Sequence, residues 1–262
     1  MPTEFCCDDG LGYRRSLTDF AGPLALDESY RLAHLPLLAP EHPRVIPRLD
    51  GRGYEMGRHA EIFSLVMPLP QGAPEASPAW RELDAELRAS PFAGKIAWDL
   101  LPRRADRLHA TIVGSLGRGE PPAISPEIRA QLAAIAPFEV ELRGLFSGNV
   151  NRGRLYLRAY PQRGAGMNPF QQIQQAFGRP AGDLYLVGYY NLLDDLDAGE
   201  TQALAALLAR WWEKPLLRLT VDALWLMGAT DDLVLESRVT ETVRLGLPAP
   251  ALTSAPDSLQ LR

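Results

Sequence analysis

Apolar positions along this chain recur with two periods in turn. Ile62–Pro70 (IFSLVMPLP) predicts a strand that ends in prolines, and Ser77 or Pro78 then opens a helix with Trp80, Leu83 and Leu87 on one stripe. Arg107–Leu116 (RLHATIVGSL) predicts a second strand, and Ser125-Pro126-Glu127 starts a second helix through Ile135. Phe138–Phe146 (FEVELRGLF) alternates cleanly. Arg152–Pro161 (RGRLYLRAYP) comes after it across a Ser-Gly-Asn turn, which predicts a hairpin.

The same order then recurs. Asn168–Phe177 predicts a helix and Asp183–Leu192 a strand, and Asp197 with Glu200 forms a capping-box start for a helix through Trp212. Leu216–Gly228 and Asp232–Leu245 are expected to close as a last hairpin. Sliding the chain by 79 residues sets Phe138, Val140, Leu142, Gly144, Leu145 and Phe146 on Leu217, Leu219, Val221, Ala223, Leu224 and Trp225, alike in size and polarity. Period two alone produces part of such agreement. The ordered recurrence of strand, helix, strand and hairpin carries more weight, and an internal duplication is expected.

The ends differ from this body. Residues 1–60 mix Gly, Pro and charge without a sustained period, so an irregular extension wrapping the domain is expected, with one short helix around Leu24–Leu32. Residues 248–262 are rich in Pro and Ser and read as a flexible tail. With 262 residues, 46% of them hydrophobic and 23% charged, the chain is ordinary globular material long enough for a sizeable core. No apolar run approaches the roughly eighteen residues of a membrane span, and the first residues carry acids rather than a secretory signal. The only two cysteines, Cys6 and Cys7, are adjacent, which disfavours a disulfide and gives too few thiols for a zinc site; a reduced, cytoplasmic setting is expected. A net charge of −5 argues against coating long duplex nucleic acid, while a local basic pocket for a nucleotide or a chain end stays open.

Four histidines are present. His34, His42 and His59 fall in or at the end of the extension and read as solvated loop residues. His109 lies inside a strand, in Leu-His-Ala-Thr, where period two puts His109 and Thr111 on one face and Leu108, Ala110 and Ile112 on the other. An imidazole beside a hydroxyl on an open face can exchange a proton with a bound phosphate oxygen and hold it. A histidine satisfied within a half-buried strand is the plainer account. Tyr185, Tyr189 and Tyr190 with Asn191 could wall a base-stacking site or be ordinary strand aromatics. Arg103, Arg104, Arg107 and Arg118 flank the His109 strand and could draw an anion to it, or be solvated loop charge. Asp194, Asp195 and Asp197 resemble a metal cluster, but Asp197 is better explained as a helix cap. No Gly-x-Ser-x-Gly, His-Glu-x-x-His or Cys-x-x-Cys occurs, and no glycine loop carries a phosphate-loop lysine.

From Glu61 to Leu245, the element order and the motif His109-Ala110-Thr111 resemble the two-histidine phosphoesterases, a superfamily that includes RNA 2′,3′-cyclic phosphodiesterases once called RNA ligases. The resemblance implies an α+β fold of two pseudo-symmetric lobes, about 61–150 and 151–247, each an antiparallel sheet with helices on its outer face, around a central cleft. It implies metal- and cofactor-independent phosphodiester chemistry with one His-x-Ser/Thr motif per lobe. His109 and Thr111 match the first motif. The 79-residue shift puts Gly188 where the second histidine belongs and Tyr190 in the hydroxyl position; a shift of 78 gives Val187 and Tyr189, and no histidine occurs after position 109. Three outcomes therefore stand. One is a phosphodiesterase of weak or altered activity, with His109 as acid or base, Thr111 on the phosphate, and Tyr190, Tyr189, Asn191 and Arg107 holding the substrate. Another is a disabled module that binds a small phosphorylated ligand or an RNA end. The third is a scaffold in which the cleft is vestigial and the N-terminal extension fills it.

Overall fold

The computed structural model describes residues 3–15, 20–147 and 151–246. The Gly148-Asn149 part of the expected Ser-Gly-Asn turn and the expected tail at 248–262 lie outside the described residues. Among the described residues a small ribbon, β1 (Arg48–Leu49) and β2 (Tyr54–Glu55), precedes a main sheet of eight strands. These are β3 (Ile62–Pro68), β4 (His109–Arg118), β5 (Phe138–Ser147), β6 (Arg154–Pro161), β7 (Leu186–Asn191), β8 (Pro215–Val221), β9 (Ala223–Ala229) and β10 (Ser237–Arg244). The longer helices are α1 (Pro78–Arg88), α2 (Pro126–Ala133), α3 (Pro169–Ala176) and α4 (Ala198–Trp211). The fold is α+β.

Helix starts obey local chemistry. Ser77 accepts from the Trp80 amide and Ser125 from the Ile128 amide, while Asn168 with Gln171 and Asp197 with Glu200 form capping boxes. Proline occupies the first turn of α1, α2 and α3, where its missing N–H costs nothing. Trp80, Leu83 and Leu87 of α1 are buried, as the stripe requires.

The sheet runs β10-β9-β3-β4-β7-β6-β5-β8, every neighbouring pair antiparallel. Its two halves meet at a single pairing, Ala110 against Val187. Strands from 62–118 and 223–244 form one half and strands from 138–221 the other, so the sheet interleaves the two segments that the sequence assigned to separate lobes. Leu216–Gly228, expected as one strand of a closing hairpin, is two: β8 and β9 are parted by Asp222, and they lie near opposite ends of the strand order. With one residue between them, the sheet must curl until this segment spans both halves. The burial phase shows the break, because Leu219 and Val221 are buried before Asp222 and Leu224 and Leu226 after it, a slip of one position. Asp222 is anchored at the crossing by its carbonyl, which accepts from the Leu245 amide, and by its carboxylate, which accepts from Arg244.

The N-terminal extension packs onto this body. Leu11, Tyr13, Leu24 and Leu26 are buried in the main core, and the Tyr13 hydroxyl donates to the carbonyls of Ala159 (2.6 Å) and Tyr185 (3.0 Å). In place of one helix near Leu24–Leu32 there are two single turns, Ser29–Leu32 and Leu35–Leu38.

Candidate functional site

The junction of β4 and β7 floors an open cleft of about 310 Å³. On β4, Ala110 and Ile112 are buried while His109 is half-buried and Thr111 exposed, and both of the latter line the cleft. The His109 ring is fixed by Nδ1, 2.8 Å from the Arg107 carbonyl. A carbonyl only accepts, so Nδ1 carries the proton. Nε2 is then left as a lone pair, and no hydrogen bond engages it among the described residues. Burial, together with Arg154 and Arg104 nearby, pushes the His109 imidazole down to about 4, so the ring is neutral near pH 7.

Across from it, the Ala110–Val187 register continued by one residue sets Gly188 against His109 and Leu186 beside Thr111. Gly188 does line the cleft, and its missing side chain is replaced from the next strand. A Cβ built on Gly188 would fall within the guanidinium of Arg154, meeting Nε, Cζ and Nη2. Arg154 reaches over the glycine from β6, donating from Nη1 to the Asp232 carbonyl at 2.9 Å and from Nη2 to the Gly188 carbonyl at 3.5 Å, while its buried Nε has no partner. Arg104 is not flanking loop charge: it is fully buried. It donates to the carbonyls of Tyr189 and Leu233 and to Asn191 Oδ1, and its Nε is also unpartnered. Neither guanidinium makes an ion pair with a carboxylate among the described residues, and burial together with their proximity pulls Arg104 well below the ordinary arginine range.

The expected substrate wall is arranged differently. The β6–β7 register slips between Leu155–Tyr190 and Tyr156–Gly188, leaving Tyr189 as an extra residue. Such a bulge reverses the facing of the residues beyond it. Tyr190, two residues from Gly188, therefore turns into the core, where its hydroxyl meets Asp84 Oδ1 at 3.3 Å and its ring packs edge-on to Trp98. Tyr189 lines a separate groove with Trp80 and Trp98, and Tyr185 is buried among α3 residues. Asn191 is 1% exposed and serves Arg104. Arg107 does line the cleft, paired to Asp106 at 2.6 Å. His109, Thr111, Gly188 and Arg107 are thus brought together, and Tyr189, Tyr190 and Asn191 are not.

The extension supplies the remaining wall through Tyr30 and His59. Asp232, in the β9–β10 connection, receives the hydroxyls of Tyr30 and Tyr54 and His34 Nε2 on Oδ2, and His59 Nε2 stands 3.4 Å from Oδ1. These donors outweigh the penalty of burial and hold the Asp232 carboxyl far below the usual carboxylate range. Burial alone would lower His59, but its contacts with Asp232 and the Ala60 carbonyl raise it above its ordinary value. His34 and His59 are therefore not solvated loop residues, since their side chains are 2% and 4% exposed. Sequence carried no sign of this, because a carboxylate 198 residues from His34 provides their environment. Arg154 was legible, alternating with Tyr156 on the face opposite Leu155 and Leu157. Asp231, also at the cleft, is spent on the amides of Leu233, Leu235 and Glu236.

Solved structures that resemble this chain include two from bacteria. One is LigT of E. coli, solved in complex with NADP+, which is 16% identical over 72% of this chain and 99% of its own, with a TM-score of 0.37. The other is TT0787 of Thermus thermophilus, 15% identical over 71% of this chain and 98% of its own, also with a TM-score of 0.37. No family model and no curated protein matches the chain. Among the described residues, no group of His, Cys, Asp and Glu is placed to hold a metal ion, and no helix is long and apolar enough to cross a membrane.

Proposed function

We propose that the cleft binds a phosphate ester of the nucleotide or RNA-end type and does so without a two-histidine proton relay. The observation that carries this reading is the Arg154 guanidinium lying over Gly188. A cation replaces the side chain that would have shared the proton transfer. The two carboxylates at the cleft are consumed by their own donors, whereas Arg154 and Arg104 are bonded only to carbonyl and amide oxygens. Arg154 lines the cleft and the fully buried Arg104 lies near it, and guanidiniums without a paired carboxylate favour an anion where little water screens them. His109 and Thr111 flank the same space, and its volume is of nucleotide size. Recurrence of strand, helix, strand, helix, strand in β3–β5 and again in β6–β9 supports descent from a duplicated fold.

A second reading, residual turnover, is favoured by His59. Two histidines in one cleft shifted in opposite directions are what a base and an acid require. The test is binding of adenosine 3′-phosphate by calorimetry, beside turnover of adenosine 2′,3′-cyclic phosphate. Arg154→Met keeps the apolar stem and removes the charge, and its affinity is expected to fall about 10- to 100-fold, the worth of a charge-assisted hydrogen bond. Unchanged affinity overturns the binding site. Turnover that disappears in both His109→Ala and His59→Gln establishes the second reading instead.

A further inference from the structure

From the donors and acceptors of the cleft we infer the class of ester it takes: an open phosphomonoester with a free hydroxyl on the neighbouring carbon, in preference to a cyclic phosphodiester. This rests on the phosphate reading above. Arg154 offers only N–H donors and Thr111 a hydroxyl, all suited to phosphate oxygens. His109 offers the opposite. Its Nδ1–H is committed to the Arg107 carbonyl at 2.8 Å, so the nitrogen left over is an acceptor. Ring, hydroxyl and guanidinium are gathered about one cross-strand register, His109 facing Gly188 with Arg154 above the glycine.

A ligand that satisfies all of them carries acceptors on one side and an O–H on the other. A vicinal hydroxy-phosphate has both. A cyclic phosphodiester has its second oxygen closed into the ring and presents no proton to Nε2, so the lone pair would be buried against an ester oxygen, another acceptor. Charge points the same way: the Arg154 guanidinium at the cleft, without a paired carboxylate and with the buried charge of Arg104 nearby, matches a dianion better than the single charge of a cyclic diester. The charged and titratable groups facing His109 are Arg107 on its own segment, Arg154 and Tyr156 from β6, Arg104 beneath, Tyr30 and His59 from the extension, and Asp231 and Asp232 from the β9–β10 connection. The two aspartates are held by other donors, and among the described residues none of these groups donates a hydrogen bond to Nε2.

Three probes separate the contributions on the full chain at pH 7.5 by calorimetry. Adenosine 3′-phosphate has both groups, 2′-deoxyadenosine 3′-phosphate has the dianion without the hydroxyl, and adenosine 2′,3′-cyclic phosphate has neither. The first is expected to bind about tenfold tighter than the deoxy probe and tighter still than the cyclic one. In His109→Leu the ratio between hydroxy and deoxy probes should collapse to near one. Should that variant fail to fold, the same ratio in the unaltered protein should shrink as the pH is lowered toward 4, where His109 takes up a proton and ceases to accept; both probes titrate alike on phosphate, which cancels in the ratio. Equal affinity for hydroxy and deoxy probes, or a cyclic probe that binds tightest, overturns the inference and leaves the phosphate site standing. No binding by any of the three overturns both.

Discussion

The two central strands, β4 and β7, meet at one residue pair and contribute to one cleft, yet they solve its floor differently. On β4 the alternation holds from His109 to Ile112, so a histidine and a threonine face the cleft while Ala110 and Ile112 face the core. On β7 a glycine sits at the matching position, an arginine from the next strand fills the gap, and a bulge at Tyr189 sends the following tyrosine away. One side presents an imidazole held neutral near pH 7; the other presents the guanidinium of Arg154 over a glycine. Under the phosphate reading proposed above, the contrast separates the two requirements: binding needs charge in place, whereas turnover needs a matched acid and base.

Rebuilding the lost side is the strongest way to break this contrast. Gly188→His alone drives its imidazole into the Arg154 guanidinium, so the two must be changed together. Gly188→His with Arg154→Ala is expected to hydrolyse adenosine 2′,3′-cyclic phosphate about 10²- to 10⁴-fold faster than Gly188→His alone, the usual worth of a second proton-transfer group. Initial rates on the two variants decide it; equal rates would mean that Arg154 does not occupy the histidine's place.

Acid titration sharpens the other side. His109 is held at about 4 when folded against an ordinary 6.5, so the unfolded chain takes up its proton first as the pH falls. Stability from this residue is intact above pH 6.5, declines between 6.5 and 4, and is lost by about 3 kcal/mol at most below that window, at roughly 1.36 kcal/mol per pH unit. Urea unfolding of the protein and of His109→Gln at pH 7 and pH 4.5 should show the parent losing stability that the variant keeps. Parallel losses in the two proteins would place the titration elsewhere. His59 has the reverse sign, its contribution complete below 6.5 and fading as the pH rises through its higher folded value.

The smallest effect is expected at Tyr190. Tyr190→Phe deletes one 3.3 Å hydrogen bond to Asp84 in the core, a change of about 0.5–1.5 kcal/mol in unfolding free energy, and leaves adenosine 3′-phosphate affinity within twofold. A large loss of affinity would return that hydroxyl to the cleft and undo the role given to the bulge.

Much of the architecture was legible in the chain itself. Strand and helix periods located the main elements to within a few residues, and Ser77, Ser125, Asn168 and Asp197 marked helix starts because a cap acts on its own first turn. The facing of His109 and Thr111 was equally local, since alternation is a property of one strand. Even the break at Asp222 left a trace, a one-residue slip in the apolar phase that the long apolar run concealed.

The sequence alone determined that His109 and Thr111 share a face and that nothing after position 109 can be a second histidine, while leaving Gly188 or Val187 opposite it. Only the tertiary structure decided what stands opposite His109, which way Tyr190 turns, and that His34 and His59 from the extension close on Asp232. The reason is physical. Facing and capping are set by neighbours in the chain, whereas Arg154 over Gly188, the bulge at Tyr189 and the Asp232 contacts depend on strands and loops brought together from distant parts of the chain, and no local period encodes those meetings.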